Sequence, residues 1–316
     1  MKIVFMGTPK AAVPSLEQLV RDGHEVAAVY TQPDRPSGRG NKIVFSPVKE
    51  FVVANDLPVF QPEKIRTDDA LELFRSHEAD VAIVVAYGRI LPVSFLNAFE
   101  KGAINVHFSL LPKYRGAAPV NWAIVNGETE TGVTTMRMDQ GLDTGDILLQ
   151  RSTSIGPTEN SIELMECLSL VGAELLSETL SKLDALVPQR QNDTAFSLAP
   201  IMKKEDGLID WERSATDIVN RIRGFQPFPT AYTSYQEKKL TLWNASARQI
   251  TFDDPVYGQI ISAGGDDLVV SCGSGSVNIR ELQIEGKRRM STRDFLNGVK
   301  IKEGEILGKA IDERQR

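Results

Sequence analysis

The chain has 316 residues, 41% of them hydrophobic and 25% charged, with a net charge of −6. That composition excludes a disordered chain, a collagen-like repeat and a coiled coil, and the length suits two domains. The acidic balance argues against a dedicated nucleic-acid binder. It is uneven, however: residues 1–200 hold 18 Lys and Arg against 25 Asp and Glu, whereas residues 201–316 hold 18 against 17, a balance of +1.

No apolar run approaches the roughly 18–20 residues of a membrane span, so no membrane partner is expected. The opening MKIVFMGTPK reads as mature sequence rather than a signal peptide. Cys167 and Cys272 are too far apart for a metal cluster or a disulfide framework. Two buried, reduced thiols of a cytoplasmic protein are expected.

In chain order, Lys2–Met6 is a short apolar strand. Pro14–Arg21 has helical spacing and stops at Gly23. Glu25–Tyr30 is a second strand, and Ser46-Pro47 is a helix N-cap followed by proline at the first helical position. Asp80–Ala86 is almost wholly apolar, as a strand buried on both faces should be. Ala103–Val106 and Val133–Met138 follow as strands. This alternation predicts an α/β fold: a Rossmann-like, mostly parallel sheet with helices on both faces. Asn160 with Glu163 caps a long helix to about Val187, with Ile162, Met165, Leu168, Leu175 and Leu176 on its apolar side.

Pro188–Asp206 is polar and aperiodic and reads as a linker. Beyond it a helix (Ser214–Arg223) precedes five short strands: Ala231–Ser234, Lys239–Ala247, Gly258–Ser262, Asp267–Cys272 and Val277–Gln283. They predict a small barrel of the oligonucleotide-binding (OB) type. The expected domains are thus 1–187, a linker at 188–206, and a β-barrel at 207–316.

Three stretches carry chemistry. The turn Gly7-Thr8-Pro9 lacks the spaced glycines of a dinucleotide site, and no Walker-type loop occurs. A ligand should still lie beyond the carboxyl ends of the strands. There, Asn105 and His107 are two apart and project to one side, an amide and an imidazole converging as a tetrahedral oxyanion requires. The loop Asp139-Gln140-Gly141-Leu142-Asp143-Thr144-Gly145-Asp146 has carboxylates at positions 1, 5 and 8 and Gln150 at position 12, which does not fit an EF-hand. It directly follows the Val133–Met138 strand and is expected on the rim bearing His107, where a carboxylate could orient the imidazole and receive a proton. Thr31–Pro47 is long for a strand-to-helix connection and carries Arg35, Arg39 and Lys42 against Asp34. Lys287, Arg288, Arg289 and Arg293 cluster after the last strand, a candidate basic face.

Over nearly its whole length the chain resembles the methionyl-tRNA formyltransferase family. The matching stretches are TQPDRPSGRG, VVAYGRILP, INVHFSLLPKYRGAAP, MDQGLDTGD, KKEDGLIDW and Ile222–Pro229. The resemblance implies formyl transfer from 10-formyltetrahydrofolate to the amino group of methionyl initiator tRNA. The sequence offers no plausible metal-ligand set, and a cytoplasmic monomer is expected. The resemblance places Asn105, His107 and Asp143 on the catalytic trio and Ser109, Leu110, Leu111 and Pro112 on the folate-binding turn. Arg39, with Arg35 and Lys42, falls on the loop that engages the tRNA acceptor end, and the second domain on the tRNA-binding barrel. Phe108 departs from the pattern, standing where a small residue is expected.

Overall fold

Short apolar runs build the first sheet. In the computed structural model, which describes residues 1–37, 42–250 and 256–308, they alternate with helices. The order is β1 (Lys2–Gly7), α1 (Val13–Arg21), β2 (Glu25–Tyr30), β3 (Arg35–Ser37), β4 (Lys42–Val44), α2 (Pro47–Ala54), β5 (Val59–Phe60), α3 (Asp68–Arg75) and β6 (Val81–Val85). Next come α4 (Val93–Leu96), β7 (Ala103–His107), β8 (Arg115–Gly116), α5 (Pro119–Val125), β9 (Glu130–Arg137), β10 (Ile147–Ser154), α6 (Ser161–Lys182) and β11 (Leu198–Ala199). Ser46 caps α2 as expected, its hydroxyl accepting from the Lys49 N–H at 3.1 Å.

The seven-stranded sheet runs β10-β9-β7-β6-β1-β2-β5. Strands β7, β6, β1, β2 and β5 are parallel, and every residue of β6 is buried, as its unbroken apolar run requires. Strands β9 and β10 are antiparallel to their neighbours. The sequence pattern predicts no strand at β10, because this edge strand carries Gln150, Arg151 and Ser152 and alternates only weakly.

Helix α6 carries the expected capping box. Asn160 Oδ1 accepts from the N–H groups of Ile162 and Glu163, and the Glu163 carboxylate accepts from the Asn160 N–H at 3.0 Å. The helix ends at Lys182, short of the expected Val187. Ala185 and Leu186 both turn their N–H groups to the Lys182 carbonyl, and Pro188 disfavours helix at the residue before it. Ile162, expected on the apolar side, is 40% exposed, while Leu168, Leu175 and Leu176 are buried. Cys272 is buried but Cys167 is exposed, which corrects the expectation of two buried thiols: position 167 falls on the outward face of α6 beside Glu166.

The later elements are α7 (Ala215–Gly224), β12 (Ala231–Tyr235), β13 (Lys238–Arg248), β14 (Ile260–Gly264), β15 (Asp267–Ser271), β16 (Ser276–Ile284), β17 (Met290–Ser291) and α8 (Thr292–Gly298). The strands pair antiparallel in the order β12-β13-β16-β15-β14, with β17 on β16. This is an OB-like sheet around a core of Trp211, Ile218, Leu240, Leu268, Ile279 and Phe295. Among the described residues no ladder joins β12 to β14.

Two compact units result. One comprises residues 1–119, 130–154 and 165–199; the other comprises 120–129, 155–164 and 200–316. The second unit thus includes residues 120–129, where the Asn121 amide donates to the carbonyls of Gly224 and Gln226 at 2.8 and 3.2 Å. Residues 189–199, which read as linker, belong to the first: Gln189 bridges Ile147, and β11 pairs with β8.

Candidate active site

Strand β7 presents Asn105 and His107 on one face, both nearly buried at 8% and 5% exposure. His107 Nε2 lies 2.9 Å from the carbonyl of Tyr114. A carbonyl only accepts, so Nε2 carries the hydrogen of this bond, and in the neutral form of the ring Nδ1 is the acceptor. Nδ1 faces Asp143 Oδ2 at 3.7 Å, and that oxygen accepts from the Gly116 N–H at 2.8 Å. The structure therefore brings Asn105 and His107 to one face and sets Asp143 beside His107.

It does so by a different route from the one the sequence suggested. Strand β9 is antiparallel to β7, with Ile104 opposite Arg137 and His107 opposite Thr134. The strand preceding the 139–146 loop therefore ends beside the start of β7, away from His107. The loop folds back to deliver Asp143, which takes a left-handed backbone at φ 52°. Within the loop, Asp139 Oδ1 accepts from the Gly141 N–H at 3.0 Å and the Thr144 hydroxyl at 2.7 Å. A side chain at Gly145 would stand 1.7 Å from the Arg137 carbonyl, so the return path needs glycine.

The turn 109–112 is tied to β9. The Ser109 hydroxyl donates to the Lys113 carbonyl at 2.7 Å, and Thr134 Oγ1 donates to the Ser109 carbonyl at 2.6 Å while accepting from the Leu111 N–H at 3.1 Å. Ser109 and Leu111 are buried, and Leu110 and Pro112 half-buried. Phe108 is buried. Its ring rests against α6, where a side chain on Gly172 would meet it at 3.4 Å and Val106 at 3.0 Å.

The long Thr31–Pro47 stretch contains a hairpin, β3 with β4, carrying Arg35 (exposed) and Lys42; Arg39 lies outside the described residues. Its foot is fastened. Asp34 pairs with Lys49 and accepts from the Gln61 amide at 2.8 Å, contacts that hold its carboxyl below the usual range. Arg89 donates to Gln32 Oε1 at 3.0 Å and to the Pro62 and Glu63 carbonyls. Sequence reasoning missed Lys64, Arg66 and Arg89, three cations lining a cleft of about 410 Å³ with Glu63, Ile65, Thr67 and Ile90. The signal was present in the arginine following the Val81–Val85 strand. The other histidines have partners of their own: His77 Nε2 meets the Tyr30 hydroxyl at 2.8 Å, and His24 Nδ1 the N-terminal amine at 3.2 Å. Burial lowers the pKa of both.

Half of the basic cluster of the second unit faces acidic partners. Arg289 pairs with Glu281 and lies over the Trp243 ring, and Arg293 pairs with Asp266. Lys287 and Arg288 are exposed.

An amide and an imidazole thus share one strand end, with a carboxylate beside the imidazole, on a mostly parallel sheet that an OB-like sheet follows in the chain. The formyl transferase family matches residues 1–180, and the formyl transferase C-terminal domain matches residues 201–300. Methionyl-tRNA formyltransferases of Geobacter metallireducens and Caldanaerobacter subterraneus are each 49% identical to this chain. They cover 98% and 97% of it and 99% and 100% of their own length. The relative from Citrifermentans bemidjiense is 50% identical over 98% of this chain and 97% of its own. Among solved structures, a sugar 3N-formyl transferase superposes with a TM-score of 0.65 at 20% identity, over 91% of this chain and 99% of that one. The chain belongs to the methionyl-tRNA formyltransferase family.

Proposed function

We propose that this chain transfers the formyl group of 10-formyltetrahydrofolate to the free amino group of methionyl initiator tRNA, giving N-formylmethionyl-tRNA. The observation that carries the reading is the meeting of His107 and Asp143 beside Asn105 in a chain about half identical, end to end, to enzymes of that name.

The reaction moves an acyl group between two nitrogens. The amine attacks the formyl carbon, a C–N bond forms, and the bond from that carbon to N10 of the folate breaks. An amine near its ordinary pKa of about 8 is neutral often enough to attack directly, so no enzyme nucleophile is required. Asn105 supplies a donor for the developing oxyanion, and His107 Nδ1 supplies a second once it has taken the proton of the attacking amine. The proton leaving the amine passes to the Nδ1–Asp143 edge and returns on N10. Ser109, Leu110, Leu111 and Pro112 shape the folate side. The cations Lys64, Arg66 and Arg89 suit the carboxylates of a folate tail.

In this reading residues 1–187 carry catalysis and residues 207–316 hold the tRNA. Of the intervening 188–206, Gln189 to Ala199 serve the catalytic unit. Arg35, Arg39 and Lys42 engage the acceptor end. The enzyme acts in the cytoplasm, as a monomer, without a metal: Asp139 and Asp143 are already committed to hydrogen bonds with their own fold.

The test is formyl transfer from 10-formyltetrahydrofolate to charged initiator tRNA, run beside an amino-sugar nucleotide. Formylated methionyl-tRNA is the expected product. Transfer to the sugar amine with none to the tRNA would overturn the reading.

A further inference from the structure

Asp143 is delivered to His107 by a loop that starts at the far end of β7. Ile104, where β9 ends, and His107 are three residues apart, about 10 Å of extended strand. A backbone with a left-handed aspartate at φ 52° does not hold such a path unaided. From outside the loop, besides the Gly116 N–H on the Asp143 carboxylate and the Arg137 N–H on the Asp146 carbonyl, the side chain of Gln191 grips it. Gln191 Nε2 donates to the carbonyl of Asp143 at 2.8 Å and to that of Gly145 at 2.7 Å. Its Oε1 accepts from Arg115 Nε at 3.0 Å. Both hydrogens of the amide are used, and a flipped amide would set its oxygen against two carbonyls, so only one orientation works.

Arg115 is fixed in turn. It is 5% exposed and Gln191 4%. The guanidinium pairs with Asp193 at 3.1 Å and lies 5.2 Å over the Phe196 ring. Its neighbours are the two other main-chain holders of the site: Tyr114, whose carbonyl takes His107 Nε2, and Gly116, whose N–H takes Asp143 Oδ2.

We propose that Arg115 and Gln191 are positioning residues for formyl transfer, holding the folded-back loop so that the Asp143 carboxylate stays at His107 Nδ1. This rests on the formyl-transfer reading above. The bracket touches no reacting atom; it acts through Asp143.

Gln191→Glu keeps the size of the side chain and its acceptor for Arg115 but cannot donate to the two loop carbonyls. Arg115→Lys keeps a charge near Asp193 but loses the Nε donor. The full-length variants are assayed with 10-formyltetrahydrofolate and charged initiator tRNA, alone and on an Asp143→Asn background, with melting temperatures recorded. Each single variant should lose about 10- to 100-fold in kcat, with KM for both substrates within about threefold, as a misplaced group costs rate rather than binding. On the Asp143→Asn background each should cost less than about twofold more, because groups acting as one unit are not additive. Parent-like kcat in both variants, or losses that multiply in full with that of Asp143→Asn, would overturn the proposal. A parent enzyme that forms no formylmethionyl-tRNA overturns the reading beneath it, and the proposal with it.

Discussion

The imidazole of His107 is pinned to the carbonyl of Tyr114, 2.9 Å from Nε2, so its remaining nitrogen points at Asp143. The contact sets both the ring's direction and its tautomer. His107→Ala should therefore lower kcat by about 100- to 1,000-fold, within the usual cost of losing a proton-transfer group, with tRNA affinity nearly unchanged. In nitrogen-15 spectra the neutral ring should show the Nε2–H pattern. Near-parent turnover in the variant, or an Nδ1–H tautomer in the parent, would contradict this assignment.

Phe108 is a packing residue. The ring is 6% exposed and lies against Gly172 of α6. Phe108→Ala should cost about 3–5 kcal/mol of stability, as emptied aromatic sites do, while leaving KM for the folate donor within about threefold. Thermal melts beside donor titrations decide it. A large rise in that KM with an unchanged melt would put the ring in the folate pocket instead.

Exposed charge without a partner should dominate contact with RNA phosphates. Lys287→Ala and Arg288→Ala should each flatten the salt dependence of tRNA binding by about one unit of slope. Arg293→Ala should change it far less, because that guanidinium already faces Asp266 at 2.8 Å. Binding isotherms at three salt concentrations test the division, which equal slope changes from all three variants would refute.

The two thiols should react unequally. Cys167 is exposed; Cys272 is buried, and burial pushes its thiol pKa up, leaving less thiolate at neutral pH. A maleimide at pH 7 should modify one thiol per folded chain and two per unfolded chain. Rapid modification of Cys272 in the folded protein would show that its core opens.

Much of this protein was legible in the amino-acid order, and the boundary of legibility follows range. The run of apolar residues at Val81–Val85 determined a buried central strand, Ser46-Pro47 a helix start, and Asn160 with Glu163 a capping box, because each depends on residues within a turn or a strand. The i, i+2 spacing of Asn105 and His107 likewise determined that they share a face. Tertiary structure alone decided the rest. Pairing direction is a contest between distant segments, so the antiparallel run of β9, and with it the folded-back path of Asp143, was invisible locally. The polar stretch 189–199 has no period of its own, because its order comes from the ladder with β8 and from Arg115 and Gln191. Arg289 and Arg293 read as a basic face until folding set Glu281 and Asp266 against them, since the net charge of a surface belongs to whichever residues the chain brings together there.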